Sequence, residues 1–293
     1  MVENVTSCPV CGSGEHKLFL SCRDYTVSGE DFNIRQCTQC QFKFTSPRPS
    51  QDAIGPYYQS EAYISHSDST NGIINKLYHA VRRRTLAGKV NLINQLHPKG
   101  TLLDVGCGTG SFLKACADAG WQTKGVEADP AARQKAIQFS GAEVQADLLQ
   151  AYKGKKFDVI TLWHVLEHLH QLEESILKIK TLMAKEAILV VAVPNSNSFD
   201  AQYYRQHWAA YDVPRHLYHF SQDTLSRLLA KHGLKVADTI PMKFDAFYIS
   251  MLSTKYRSGR TNYVESVKNG LLSNAWAARN NNNYSSITYV ISQ

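Results

Sequence analysis

No run of about 18 apolar residues occurs anywhere in the 293-residue chain, so no segment reads as a membrane-spanning helix. The first ten residues, Met1 to Val10, lack the apolar stretch of a secretory signal, and the expected compartment is the cytoplasm. Charge of one sign is also scarce. Lys and Arg number 32 against 25 Asp and Glu, a net +7 that is mild for this length. Part of the excess gathers at Arg82-Arg83-Arg84 with Lys76 and Lys89, and part at Lys255, Arg257, Arg260, Lys268 and Arg279. Such patches can meet phosphates, but a solvated helix face accounts for them as well. No internal repeat is visible. With 43% hydrophobic residues, the chain has material for a substantial core, arranged as one large domain with attachments or as two domains.

Cysteine is used in a pattern. Cys8-Pro9-Val10-Cys11 and Cys37-Thr38-Gln39-Cys40 are two C-x-x-C pairs about 25 residues apart, a spacing that fits tetrahedral zinc. Four thiolates close the shell, so the expected role is structural. A disulfide framework is the rival, disfavoured in a reducing compartment. A module this short cannot bury enough surface alone, and a metal would stabilise it. Leu18–Leu20, Phe32–Ile34 and Phe42–Phe44 read as short strands around the pairs, and Ser46-Pro47-Arg48-Pro49-Ser50 as a linker. Cys22, Cys107 and Cys116 read as packed thiols. A long helix is expected from about Gly72 to Leu96, stopped by Pro98-Lys99-Gly100. Tyr57, Tyr58 and Tyr63 are candidates to line a lid formed by this region.

From Thr101 strands and helices alternate. Strands are expected at Thr101–Val105, Gln122–Val126, Ala142–Ala146, Phe157–Leu162, Ala187–Val193, Leu234–Pro241 and Ser286–Ser292, with helices at Ser111–Ala119, Ala131–Phe139, Leu172–Ala184 and Gln222–His232. This alternation predicts a mostly parallel sheet covered by helices on both faces. Ser221 reads as an N-cap and Gly233 as a C-terminal glycine.

The first strand runs into Asp104-Val105-Gly106-Cys107-Gly108-Thr109-Gly110-Ser111. The glycines allow a tight turn and a close backbone approach, and the following helix points free N–H groups at the turn. The spacing is G-x-G-x-G, not the G-x-G-x-x-G that cradles pyrophosphate. Asp104 would repel pyrophosphate and suits a cationic ligand. Glu127, at the end of the second strand, can accept bonds from ribose hydroxyls. Asp147, at the end of the third, can reach an adenine edge. An amino acid, a ribose and a base together suit S-adenosylmethionine.

Leu103–Gly110 resembles motif I of the class I S-adenosylmethionine-dependent methyltransferases. Glu127, Asp147 and the run Phe157-Asp158-Val159-Ile160-Thr161-Leu162-Trp163-His164-Val165-Leu166-Glu167-His168 fall where that family places its later motifs. Pro214-Arg215-His216-Leu217-Tyr218-His219-Phe220-Ser221 resembles a subgroup that methylates sugars, quinones and other small metabolites, often behind a cysteine-knuckle module. The resemblance covers roughly residues 75 to 293. It implies a Rossmann-like, seven-stranded α/β sheet with helices on both faces and the last strand antiparallel. It further implies that Asp104, Gly106 and Gly108 hold the methionine portion, Glu127 the ribose, and Asp147 and the Leu148 amide the adenine, with Cys107 and Ala128 also among the cofactor-binding residues. Trp163 and His164 would close over the methionine amine.

Methyl transfer asks the protein mainly to align the acceptor and, where needed, to remove a proton. His164 and His216 are the catalytic candidates. His219 reads as a loop hydrogen-bonding residue, and Glu167-His168 as packing at a helix start. Arg215 can pair either with a substrate anion or with an internal Asp such as Asp212. Family members acting on exocyclic amines or glutamine amides carry Asn/Asp-Pro-Pro-aromatic after the fourth strand. Here that place reads Trp163-His164-Val165-Leu166, which favours a carbon or oxygen nucleophile.

The expected layout is a zinc-ribbon-like module at 1–46, a helical lid or linker at 47–98 and a methyltransferase domain at 99–293. The expected activity is methylation of a small metabolite, such as a sugar or nucleotide-sugar. Methylation of ribosomal or transfer RNA is a second reading, marked by salt-sensitive RNA binding. A cofactor-binding regulator without turnover is a third.

Overall fold

The structure, a computed structural model, describes residues 1–59 and 73–293, with side chains in the second span from residue 83 onward. Tyr63, Lys76 and Arg82 lie outside the described side chains. The chain begins with β1 (Val2–Glu3), β2 (His16–Arg23), β3 (Asp31–Cys37), β4 (Lys43–Thr45) and β5 (Arg48–Pro49). Helix α1 (Ile73–Leu96) follows, close to the span its apolar spacing predicts. Then come β6 (Thr101–Val105), α2 (Ser111–Asp118), β7 (Gln122–Val126), α3 (Pro130–Ser140), β8 (Glu143–Gln145), β9 (Phe157–Trp163), α4 (Leu172–Leu182) and β10 (Met183–Pro194). The remainder is α5 (Phe199–Tyr204), β11 (Tyr218–His219), α6 (Gln222–Lys231), β12 (Lys235–Pro241), α7 (Asp245–Ser258), α8 (Tyr263–Ala277) and β13 (Ser286–Ser292).

Seven of these strands form one sheet in the order β12-β13-β10-β9-β6-β7-β8. The pairs β6–β7, β6–β9 and β7–β8 are parallel, with Asp104 opposite both Gly125 and Thr161. All seven strands expected from the sequence are present, and only their ends differ. Helices α7 and α8 carry no expectation from the sequence. Among the described residues no helix is long and apolar enough to cross a membrane.

The contacts divide the chain into two compact units. The first takes the segment through β5 together with Leu166–Leu172 and Ala192–Tyr289; the second takes α1 through Val165, Glu173–Val191 and Val290–Gln293. In the first unit, β2, β3 and β4 form an antiparallel sheet that is completed by β11, in the order β11-β4-β3-β2. The cysteine-bearing strands therefore share their sheet with Tyr218–His219, far along the chain. Its core packs Cys22 and Ile34 against Tyr204, Trp208, Tyr211, Val213 and Ile249. In the second unit the core gathers Val90, Ile93, Leu102, Phe112, Leu113, Trp121, Val144, Val159 and Val190 around the β6–α2 turn. Burial of this apolar surface, at about 25 cal/mol per Å², is what fixes that turn in place.

Helix ends follow the sequence signals. Ser221 accepts a bond from the Thr224 amide in a reciprocal capping box, and Gly233 takes a left-handed φ of 67° just past the helix. The Asp129 side chain caps α3, ahead of Pro130.

Candidate cofactor and metal sites

Asp104 ends up almost completely buried, 3% exposed, near the carboxyl end of the central strand β6. The Thr161 hydroxyl on β9 donates to its Oδ1 at 2.6 Å. Burial pushes this carboxyl up to about 7, and the Glu127 charge adds to the effect, against the pull of Thr161 and of Lys89. A carboxylate so placed gains most from a cation.

The turn after β6 is held by backbone bonds. The amides of Gly106 and Cys107 both donate to the Val126 carbonyl, at 2.7 and 3.1 Å. Gly106 sits at φ +70°, and a Cβ there would collide with Val165. Gly108 differs: a Cβ there would meet nothing within 4 Å, so open space lies over the turn at this point. Its amide donates to Glu127 Oε2 at 2.8 Å, while the Asp129 amide donates to Oε1 at 2.9 Å. One carboxylate thus ties the glycine turn to the end of β7 and keeps lone pairs for further donors.

Asp147 is exposed beyond β8, where its Oδ1 accepts from the Leu149 amide at 2.8 Å; Leu148 is buried beside it, and Ala128 is exposed. The Cys107 thiol packs into the core, and burial raises its pKa. Its share in any ligand contact is therefore its backbone. The Trp163 ring lies under Lys89 Nζ at 4.3 Å and edge-on to Phe112 at 5.5 Å. His164, at the end of β9, takes a left-handed φ of +57°. Non-glycine residues pay a strain of about 1 kcal/mol there and cluster at functional sites.

The first unit holds His168, His216 and His219. Glu167 and His168 lie in a three-residue 3-10 turn, Leu166–His168, where the sequence suggested a helix start. The Leu217 amide donates to the Glu167 carbonyl at 2.8 Å, which brings His216 beside them. The His168 and His216 rings meet edge to face at 4.7 Å. Burial, then the nearby His216, holds His168 down to about 4. The His219 ring reaches β4, where its Nε2 lies 3.1 Å from the Thr45 hydroxyl. Arg215 takes the internal partner: its guanidinium donates to Asp212 at 2.6 and 3.0 Å and to Asp24 at 2.9 Å. Asp24 had no signal in the sequence, because its partner is 191 residues away.

The four-cysteine cluster is assembled. Its sulfurs all lie within 4.8 Å of one another, with Cys8–Cys40 and Cys11–Cys37 at 3.5 Å, and all four are free thiols. Thiolates bound at 2.3 Å around a tetrahedral zinc stand about 3.8 Å apart. Backbone amides aim at the sulfurs: those of Cys11 and Val10 at Cys8, and those of Cys40 and Gln39 at Cys37. At Cys8 burial outweighs them and raises the thiol. At Cys37 burial acts the same way, but the amides and neighbouring thiols bring it down to about 7. Cys22 and Cys116 are buried thiols of the two cores.

A family model described as a methyltransferase domain matches residues 78–239, more than half of the chain. The ubiquinone biosynthesis O-methyltransferase of Paraburkholderia phytofirmans is 29% identical over 105 residues, 33% of this chain and 45% of that protein. The chain thus matches less than half the length of that curated relative. Among solved structures, magnesium protoporphyrin IX methyltransferase from Synechocystis with bound SAH superposes with a TM-score of 0.53 at 16% identity, over 80% of this chain and 95% of that one. The StiE O-MT superposes at 0.51 with 13% identity, over 76% and 77%. These likenesses bear on the fold. Together with the family match and the glycine turn, they show that the chain belongs to the methyltransferase domain family, within the class I S-adenosylmethionine-dependent methyltransferases.

Proposed function

We propose that the chain transfers a methyl group from S-adenosylmethionine to a carbon or oxygen of a small metabolite, such as a sugar or nucleotide-sugar. The observation that carries this reading is the buried Asp104 carboxylate beneath a glycine turn that Glu127 clamps and that opens to free space at Gly108. When bound, the cofactor supplies a methyl group already activated by a positively charged sulfur. Asp104 offers the negative charge that favours its cationic portion. Glu127 has lone pairs left for the ribose hydroxyls. Asp147 and the Leu148 amide stand at the next strand end for the adenine. His164 is assigned the acceptor's proton, because it takes a strained left-handed backbone at the end of β9, in the same unit as the glycine turn. His216, the second candidate base, stands with Glu167 and His168 in the other unit.

The four-cysteine cluster holds one structural zinc in this reading. Four sulfur ligands leave no open position, so the ion organises β2–β4 and takes no part in methyl transfer.

Titration calorimetry with S-adenosylmethionine tests the proposal. Binding is expected in the wild type and at least tenfold weaker binding in Glu127→Ala, because the clamp and the ribose acceptor are lost together. Unchanged affinity in that variant overturns the assignment.

A further inference from the structure

We infer that the outward face of helix α8 docks this chain on an anionic lipid surface. The helix reverses the usual order of a surface helix, in which the apolar stripe faces the core. Its buried face is small and polar: Ser266, Asn269, Gly270 and Ser273. The polar groups there are matched. Asn269 Nδ2 donates to Tyr204 Oη at 2.8 Å, Ser273 Oγ donates to Asp200 at 2.8 Å, and the Ser266 and Thr254 hydroxyls lie 3.3 Å apart. A Cβ at Gly270 would lie 2.5 Å from the Phe247 ring, so α7 and α8 pack closely along this face. These contacts fix the rotation of α8 about its own axis.

That rotation leaves Tyr263, Val264, Val267, Leu271 and Leu272 exposed, Val264 by 82% and Leu271 by 58%. Val264, Val267 and Leu271 stand at i, i+3 and i+7, on one side of a helix about 22 Å long. An apolar row of this length at the surface marks a docking face.

Charge decides the occupant. Residues 243–279, which contain both helices, carry Lys243, Lys255, Arg257, Arg260, Lys268 and Arg279 against Asp245 and Glu265. Their net +4 is more than half of the chain's +7. Glu265 is already engaged by Arg257, at 2.5 Å. Arg260 and Arg279 stand just beyond the two ends of α8, and Lys268 is exposed within it, between Val267 and Leu271 in sequence. A second copy seated face to face would oppose like charges. A protein partner would bury Lys268 within the contact, where lysine is disfavoured. A bilayer accepts both features. The aliphatic side chains enter the headgroup boundary, while Lys268 lays its stem along them and raises its ammonium to the phosphates. The helix lies on such a surface and does not cross it, since no described helix is long and apolar enough to span a membrane.

The test is co-sedimentation of the full-length protein with vesicles. It involves no methyl transfer, so its failure leaves that reading untouched. The wild type is expected to pellet with phosphatidylcholine vesicles containing about 30% phosphatidylglycerol, and to bind pure phosphatidylcholine at least tenfold more weakly. Raising the salt from about 0.1 to about 0.5 M should weaken the anionic-vesicle binding. Val267→Ser with Leu271→Ser removes the apolar contact, and Arg260→Gln with Lys268→Gln removes two charges. Each double variant should bind the anionic vesicles at least tenfold more weakly. All four positions are exposed, so wild-type melting curves are expected. The wild-type comparison of the two vesicle types decides the matter if a variant fails to fold. Undiminished binding by either folded variant, equal binding to both vesicle types, or no binding by the wild type overturns the proposal. So does a reversible dimer in sedimentation velocity that Leu271→Ser dissolves, without vesicle binding, which assigns the face to a second copy.

Discussion

Asp104 is expected to make the protein's affinity for S-adenosylmethionine depend on pH near neutrality, and to cost the ligand-free fold stability. Burial moves its pKa from 3.8 to about 7, roughly three units, equivalent to about 4 kcal/mol against the ionised form. Screening by solvent is slight at 3% exposure, so this figure is an upper bound of the right order. The folded pKa is the higher one. Stability from this group is therefore complete below the unfolded pKa near 4, declines as pH rises, and is lost above about 7. Asp104→Asn keeps an oxygen for the Thr161 hydroxyl and removes the charge. At pH 8 the ligand-free variant should resist urea better than the wild type, by up to about 4 kcal/mol, and the gain should vanish towards pH 4. Cofactor binding should move the opposite way. At pH 8 the variant loses a charge-assisted interaction of about 1.5–3 kcal/mol, roughly 10- to 150-fold in affinity. Below pH 7 the wild type must shed a proton to bind, so its affinity should fall about tenfold per unit relative to the variant. Calorimetry between pH 5.5 and 8 on both proteins, with urea melts, measures all of this. Parallel affinity profiles for the two proteins, or a variant less stable at pH 8, would refute the reasoning.

Other perturbations have equally definite outcomes. His164→Gly relieves a left-handed backbone, so the melt should show about 1 kcal/mol of added stability while kcat collapses; a variant that keeps wild-type turnover removes His164 from the reaction. Arg215→Met leaves Asp24 buried and unpaired and should cost about 3–5 kcal/mol in urea denaturation, part of which Asp24→Asn restores in the double variant. His219 is buried, and its pKa is held well below 6.5 by burial and then by the His216 and Lys43 charges. The unfolded chain takes its proton first, so this stability is complete above pH 6.5 and lost as pH falls; His219→Gln should flatten that slope in thermal melts between pH 5 and 7.

The elements of the proposed cofactor end were legible in the sequence. Motif I, Glu127 and Asp147 are local signals, set by glycine freedom and by which residues end a strand. The packing of Trp163 was not legible, because Lys89 and Phe112 reach its ring from helices distant in sequence. The same holds for Glu167-His168: two adjacent residues read as packing until the His216 loop arrives beside them.

What the sequence alone determined is the succession of strands and helices from Thr101, the glycine turn and the paired cysteines, because apolar period, turn chemistry and ligand spacing act over a few residues. Tertiary structure alone decided the rest. Helices α7 and α8 have mixed faces, with Val264 and Leu271 exposed and Ser253 and Ser273 buried, so periodicity could not announce them. Tyr218–His219 completes the sheet of the cysteine-bearing strands, and Arg215 reaches Asp24, through contacts that leave no mark on neighbouring residues. The glycine turn was readable as a site. Only the fold could bury Asp104 deeply enough to push its carboxyl up to about 7.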